Sequence, residues 1–169
     1  KISHFNRQFL YGGLRCGPVG KGANDAPPFF ETLNDRLRNI NPSVSVVLAD
    51  SLKSCPWPVP HDLCIDQLTV NEYRGGGSGI APHVDNPDTL GEFIFSISLG
   101  SHTVMNFKRI EASSDEEVHL FLPPRSLLVM SGEARHLWTH GIAERSVDII
   151  AGNSLKRGLR HSLTFREAL

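Results

Sequence analysis

The stretch Arg160-His161-Ser162-Leu163-Thr164-Phe165-Arg166 decides the fold. Alternate side chains of an extended strand point to opposite faces, so one face of this stretch carries arginines and hydroxyls and the other is largely apolar. If the polar face lies inside a β-barrel, two guanidinium groups are costly to bury without an anion. The alternative is an edge strand whose polar face lies in water.

Five earlier stretches have the length, the β-branched and aromatic content and the flanking turn residues of short strands. They are Leu68 to Tyr73, Phe93 to Leu99, Thr103 to Phe107, Val118 to Leu122 and Ser126 to Met130. Many short strands joined by tight turns are typical of a sandwich or a barrel. The sequence therefore predicts a mainly β domain.

The N-terminal third has a different pattern. Apolar side chains recur at helical spacing between Pro28 and Asn39, which predicts one amphipathic helix packed on a sheet and ending near Asn41-Pro42. The first thirty residues are rich in glycine and proline and predict a short strand followed by a loop. We expect Gly12 to Gly22 to be a mobile part of a substrate lid, because this composition gives little apolar burial.

Length and charge limit the possible functions. The chain of 169 residues suits one domain, residues 1–169, with a sizeable core. It begins at Lys1 rather than Met, so we expect it to be part of a longer protein. The formal net charge is -1, whereas a dedicated nucleic-acid-binding module is usually clearly basic. Any contact with nucleic acid must therefore come from a local patch or from other domains.

The cysteines and the hydropathy concern the compartment. Three cysteines without paired spacing fit a reducing environment better than a disulfide scaffold. No apolar run is long enough to span a bilayer, and no secretory signal is visible. We expect a protein of the cytoplasm, or also of the nucleus, without membrane contact. Cys55, His61 and Cys64 could join a zinc site, but they lack the usual paired spacing.

A His-x-Asp pair, His83 and Asp85, is the first candidate metal site. Both side chains can point to one face at a strand end, where an imidazole and a carboxylate can bind one metal. The other interpretation is a simple turn, because Asn86-Pro87-Asp88 follows. His140 is the candidate third ligand, although His136 lies close by and spacing alone does not choose between them. Two histidines and one carboxylate can hold one face of a ferrous ion and leave the other face open.

These pieces occur in an order that resembles the AlkB family of Fe(II)- and 2-oxoglutarate-dependent dioxygenases, over roughly residues 68–166. The matching motifs are Asn71-Glu72-Tyr73, His83-x-Asp85, Gly132-Glu133-Ala134-Arg135, His140 and the Arg-x5-Arg strand from Arg160 to Arg166. The resemblance implies a mainly β (α+β) fold, a double-stranded β-helix or jelly-roll barrel with flanking helices. It also implies an enzyme that uses Fe(II), 2-oxoglutarate and O2.

The resemblance implies a role for each motif residue. His83, Asp85 and His140 would be the catalytic metal ligands. Arg160 would pair with the C5 carboxylate of 2-oxoglutarate, helped by the Tyr73 hydroxyl. The remaining co-substrate residues would be Asn71 and Arg166, near the C1 end and the metal, and Ser162. Lys156 and Arg157 beside Arg160 predict a solvated basic loop, with a phosphate contact as the alternative.

Two departures from the family's repair enzymes bear on the substrate. Pro87 stands where those enzymes commonly carry an acid, and Ser162 stands where the closing strand often carries Asn. The segments Leu127 to Ile142 and Lys156 to Arg166 look more like the branch that hydroxylates a carboxymethyl-type wobble uridine in tRNA. That function is our prediction, with tRNA and flanking RNA-binding or methyltransferase domains as partners. The alternatives are a demethylase of N-alkylated bases in RNA or DNA, a protein hydroxylase, and an inactive barrel that binds RNA or protein.

Overall fold

The computed structural model describes residues 1–6, 9–10, 15–16, 24–40, 60, 62–75, 77–111 and 115–169. The elements are β1 (Ile2–Phe5), β2 (Phe9–Leu10), β3 (Arg15–Cys16), α1 (Phe30–Arg38), β4 (Gln67–Tyr73), β5 (Ile80–His83), β6 (Leu90–Gly100), β7 (Thr103–Arg109), β8 (Glu117–Leu122), β9 (Leu127–Met130), α2 (Gly132–His136), β10 (Trp138–Ile142), β11 (Val147–Ile150), β12 (Asn153–Lys156) and β13 (Arg160–Ala168). Apart from β3, the segment that we expect to be a lid lies outside the described residues, as does the predicted end of the helix near Asn41-Pro42. Within the described ranges, no helix is long and apolar enough to cross a membrane.

Two antiparallel sheets form the barrel. The larger has the strand order β1-β4-β13-β6-β9 and the smaller has the order β5-β10-β7-β8. The stretch from Arg160 to Arg166 lies at the centre of the larger sheet, paired with β4 on one side and β6 on the other. The edge-strand alternative is therefore wrong, and the jelly-roll prediction is confirmed.

Each face of the larger sheet buries a different core. The outer face packs Leu68, Phe95 and Phe165 against Phe30 and Leu37 of α1, as the helical spacing predicts. The inner face packs against the smaller sheet. Its apolar part is formed by Ile94, Met105, Phe107, Leu122, Met130, Trp138 and Ile142. Strand β6 contributes to both cores, because its side chains alternate: Phe93 and Phe95 point outward and Ile94 points inward.

Two elements after β9, helix α2 and the hairpin of β11 and β12, were not anticipated from the sequence. Helix α2 and the hairpin formed by β11 and β12 have no strong apolar period, so neither produced a signal. The hairpin closes through Ala151 and Gly152, whose φ angles are 49° and 80°. Two consecutive residues with positive φ are typical of a tight two-residue hairpin turn.

A buried carboxylate, Asp148, anchors this hairpin. Arg157 grips it with two hydrogen bonds of 2.7 and 2.8 Å, and Nε of Arg145 donates a third at 2.7 Å. Nε2 of His102 lies 3.4 Å from Oδ2 of Asp148. The prediction that Arg157 belongs to a solvated loop is therefore wrong: its side chain is buried. A local sequence pattern cannot show a counter-charge that is supplied by tertiary packing.

The environment of Asp148 keeps it ionised. Burial by itself would raise the pKa of this carboxyl, but the hydrogen bonds and charges of Arg157 and Arg145 outweigh burial. Together they hold the pKa below the ordinary value of 3.8. Because folding lowers the pKa, this group stabilises the folded state above pH 3.8, and that contribution is lost as the pH falls further through the folded-state pKa.

Replacing Asp148 with Asn should lower the free energy of unfolding at pH 7 by about 3–5 kcal/mol, because Arg157 would stay buried without a counter-charge. The difference from wild type should shrink as the pH falls below 3.8. Urea denaturation across this pH range measures both effects. Asp35→Asn, which removes the exposed partner of Arg38, is the control and should cost less than about 1 kcal/mol. Equal costs for the two variants at pH 7 would contradict the anchoring role.

Candidate active site

Two neighbouring strands of the smaller sheet bring the predicted metal ligands together. His83 ends β5 and lies directly opposite His140 of β10, with 4.4 Å between the ring centroids. Asp85 follows two residues after His83, and the ligand atoms of all three lie within 4.8 Å of one another. In the described part of the chain, they are the one group of His, Cys, Asp or Glu side chains with such spacing.

The competing sites do not form in the described structure. His136 lies in α2 and its Nε2 is 2.8 Å from Oε2 of Glu92, so it is not part of the group. For the zinc alternative, Cys64 is exposed and free, while Cys55 and His61 lie outside the described residues. Spacing alone could not choose between His136 and His140, because the choice depends on where α2 ends and β10 begins; only the resemblance to the family favoured His140.

The surroundings of the two imidazoles favour metal binding. Burial lowers the pKa of His140 to about 4, although the Asp85 carboxylate acts against it, so this ring is neutral at pH 7. Nδ1 of His83 lies 2.8 Å from the Ala81 carbonyl oxygen. That contact assigns the proton to Nδ1 and leaves Nε2 as the atom with a free lone pair. Neutral imidazole is the form that binds a metal ion.

The carboxylate between them is held ionised. Burial alone would raise the pKa of Asp85, but the positive charge of Arg166 and the other basic side chains nearby lower it overall. Nε of Arg166 donates to Oδ2 of Asp85 at 3.3 Å, and Nη1 of Arg166 donates to Gln67 and Thr69. Arg166 therefore lies beside the candidate metal ligand Asp85.

A small, partly open cleft extends from the triad along the polar face of β13. Its other lining residues include the predicted co-substrate residues Asn71, Tyr73, Ser162 and Arg166. The register explains this gathering, because Ser162 lies opposite Asn71 on β4 and opposite Ser98 on β6. Alternate residues of three paired strands therefore face one cavity.

Arg160 lies at the far end of this polar face and is almost fully buried, with 2% of its surface exposed. Its Nη2 donates to Oγ of Ser98 at 2.8 Å, and the guanidinium lies 5.1 Å from the centre of the Tyr73 ring. No described residue accepts a hydrogen bond from Nε or Nη1 of Arg160. Unpaired donors on a buried guanidinium favour an anionic ligand such as a carboxylate.

Sequence reasoning missed several residues of the site. Ser96 meets Ser162 at 2.9 Å, and Ser98 holds Arg160. The spacing Ser96-x-Ser98 within an apolar strand is a signal that could have identified both, because alternate polar residues imply a polar face. Arg135 appeared only as the last residue of the Gly132-Glu133-Ala134-Arg135 motif, and nothing in that motif assigned it a role.

Comparison with known proteins identifies the class. The profile of the 2OG-Fe(II) oxygenase superfamily matches residues 18–166. The chain belongs to this superfamily and is a 2-oxoglutarate-dependent dioxygenase that uses Fe(II), 2-oxoglutarate and O2. Its relatives are AlkB homologues.

Two relatives show the extent of the likeness. The chain is 46% identical over 118 residues to the Xenopus tropicalis protein named tRNA (carboxymethyluridine(34)-5-O)-methyltransferase alkbh8, covering 60% of this chain and 18% of that protein. It is 31% identical over 183 residues to the Arabidopsis thaliana protein named Alkylated DNA repair protein ALKBH8 homolog, covering 99% of this chain and 49% of the relative. The chain thus spans less than a fifth of the first and about half of the second.

A solved structure supports the fold. The structure of OsALKBH1 superposes with a TM-score of 0.59 over 98% of this chain and 77% of that chain, at 18% sequence identity. An identity this low speaks for a shared fold and not for a shared substrate.

The residues present fit the family's metal and co-substrate. Neutral imidazole and carboxylate suit Fe(II), and the free donors of Arg160 suit a carboxylate. When bound, Fe(II) with 2-oxoglutarate and O2 supplies the oxidation of a substrate C–H bond, with succinate and carbon dioxide as products. His83, Asp85 and His140 would hold the metal, Arg160 would orient the co-substrate, and Met105, Met130 and Ile142 would keep water away from the cleft.

Replacing Asp85 with Ala should abolish 2-oxoglutarate turnover, because two imidazoles alone do not hold the metal in the required geometry. Succinate formation measures turnover, and circular dichroism checks that the fold survives. A folded Asp85→Ala variant with wild-type turnover would contradict the ligand assignment.

Replacing Arg160 with Lys should raise the apparent KM for 2-oxoglutarate about 10- to 100-fold, which corresponds to the loss of a hydrogen bond to a charged group. Lysine keeps the charge but lacks the planar pair of donors. Steady-state succinate formation at varied 2-oxoglutarate gives the KM. Arg74→Lys is the control and should leave the KM unchanged. Arg74 lies just beyond the end of β4, is exposed and pairs with Glu72. An unchanged KM for the Arg160 variant would show that another residue holds the carboxylate.

Proposed function

We propose that this chain is the oxygenase domain of a protein that hydroxylates a carboxymethyl-type wobble uridine in tRNA. The observation that carries the proposal is Pro87, exposed two residues after Asp85 on the loop beside the metal site. A proline there offers no side-chain acceptor to the exocyclic amine of a damaged base. The named activity of the Xenopus tropicalis relative on carboxymethyluridine at position 34 supports the same substrate class.

The chemistry of the site is compatible with this substrate. The carbon next to the carboxylate of a carboxymethyl group presents a C–H bond, and hydroxylation there leaves a stable alcohol. The same oxidation at an N-methyl group would instead release the methyl carbon. The triad would treat the two substrates alike, so selection must come from the surface around the cleft, to which Pro87 belongs.

Capture of tRNA would need more than this domain. The formal net charge is -1, and nucleic-acid affinity depends chiefly on cationic side chains that displace counterions from phosphate. We therefore propose that flanking RNA-binding or methyltransferase domains, or a partner protein with such domains, hold the anticodon arm.

A paired assay tests the function. The protein with its natural flanking domains receives an anticodon stem-loop with 5-carboxymethyluridine at the wobble position and, separately, an oligonucleotide with N1-methyladenine. Nucleoside mass spectrometry should show hydroxylated uridine and unchanged methyladenine. Asp85→Ala is the control for iron-dependent turnover. Demethylation without uridine hydroxylation would assign the protein to N-alkylated bases instead, and binding without turnover of either would indicate an inactive binding barrel.

A further inference from the structure

The loop after β5 presents a structural problem that β-sheet pairing does not solve. His83 and His140 are fixed by the ladder between β5 and β10. Asp85 lies beyond the last paired residue of β5, in a segment without regular structure that runs to Leu90 at the start of β6. A carboxylate must be placed within a few tenths of an ångström to complete a metal site, so this loop needs a support of its own.

Arg135 of α2 lies under this loop and is buried, with 3% of its surface exposed. Its Nη1 donates to the carbonyl oxygen of Asp85 itself. Its Nη2 donates to the carbonyl oxygens of Asn86 at 3.4 Å and Leu90 at 3.2 Å, and its Nε donates to that of Gly91 at 3.4 Å. All three nitrogens of one planar group thus bind the backbone at both ends of the loop.

This arrangement differs from an ordinary buried ion pair. The partners of the Arg135 guanidinium are neutral carbonyl oxygens, while its positive charge lies near the Asp85 carboxylate and acts on it through space. A planar fork with donors in fixed directions can hold several carbonyl groups at once, whereas a lysine ammonium acts as a point charge. The loop geometry is therefore tied to the guanidinium shape as well as to its charge.

We infer that Arg135 is a positioning residue that sets the metal affinity of the site by fixing the backbone of Asp85. The inference rests on the assignment of His83, Asp85 and His140 as ligands, and not on the proposed tRNA substrate. Outer residues that orient metal ligands typically change metal affinity about 10- to 100-fold when they are replaced. Arg135→Lys, which keeps the charge and loses the fork, should weaken metal binding by this amount.

A double-mutant cycle separates positioning from general stability. Nickel(II) affinity is measured without co-substrate for the wild type, Arg135→Lys, Asp85→Ala and the double variant, because nickel binds nitrogen ligands tightly enough to leave residual binding by two histidines. If Arg135 acts through Asp85, Arg135→Lys should change the affinity less than about twofold in the Asp85→Ala background. An equal loss in both backgrounds would overturn the inference. If Asp85→Ala keeps wild-type affinity, the ligand assignment fails first, and the two failures are distinguishable.

His136→Ala is the matched control in the same helix. It removes the 2.8 Å contact between His136 and Glu92, which also joins α2 to β6, and leaves the four carbonyl bonds of Arg135 in place. Nickel(II) affinity should stay within about twofold of wild type. A loss as large as that of Arg135→Lys would show that loosening α2 is sufficient, and the inference would be wrong.

A measurement on the wild-type protein covers the case in which Arg135→Lys does not fold. If metal affinity depends on Arg135, metal binding must in turn favour the state in which Arg135 is bonded to the loop. Solvent exchange of the Arg135 Nε–H, followed by ¹⁵N NMR, should slow when zinc(II) is added. Exchange of the Arg109 Nε–H, which faces Glu111 at 3.5 Å and makes no contact with the loop of Asp85 in the described structure, should not change. Unchanged exchange at Arg135 with zinc bound would overturn the inference.

Discussion

The polar inner face of β13 is the constraint on which the rest of this structure depends. A central strand with apolar cores on both sides carries Arg160 and Arg166 into the barrel, where an unpaired guanidinium is unstable. Arg166 finds its counter-charge in Asp85, and the hydroxyls of Ser98 and Thr69 take up individual donors. Arg160 keeps two buried donors without a described acceptor. The fold thus leaves part of its hydrogen bonding to be completed by an anionic ligand, the role that the family resemblance predicts for 2-oxoglutarate.

At the candidate metal ligands the buried charge is negative, and nearby arginines stabilise it. A buried carboxylate beside two imidazoles would ordinarily become protonated, and Arg166 and Arg135 offset that tendency from two directions. Burial at the same time keeps His140 neutral. Asp85 is thus held ionised and His140 neutral, the protonation states in which these two candidate ligands bind a divalent metal, so that binding needs little reorganisation at either of them.

A second buried carboxylate is paired with arginines outside the candidate active site. Asp148 gathers Arg157, Arg145 and His102 and fixes the hairpin that leads into β13. Gly100, at the end of β6, also helps to position β13. Its φ is +86°, and a Cβ there would lie 2.4 Å from the Leu159 carbonyl oxygen. Only glycine therefore allows β6 to approach the start of β13 so closely. The contacts of Asp148 and Gly100, both distant from the candidate metal ligands, therefore help to position Arg160 in the cavity.

The sequence by itself determined the class of fold and proposed most of the candidate site residues, because these depend on local periodicity and on short motifs. The alternation in residues 160–166 predicts a strand with one polar face, and the apolar spacing of residues 28–39 predicts α1 with its buried face. The His-x-Asp spacing likewise places two ligands together without knowledge of the fold. Only the tertiary structure decided that β13 is central, that His140 rather than His136 faces His83, that Arg157 is buried on Asp148, and that Arg135 supports the loop of Asp85. The physical reason is common to all four: each depends on a partner more than eight residues away in sequence, and no local pattern of one segment specifies which distant group will neutralise or bind it.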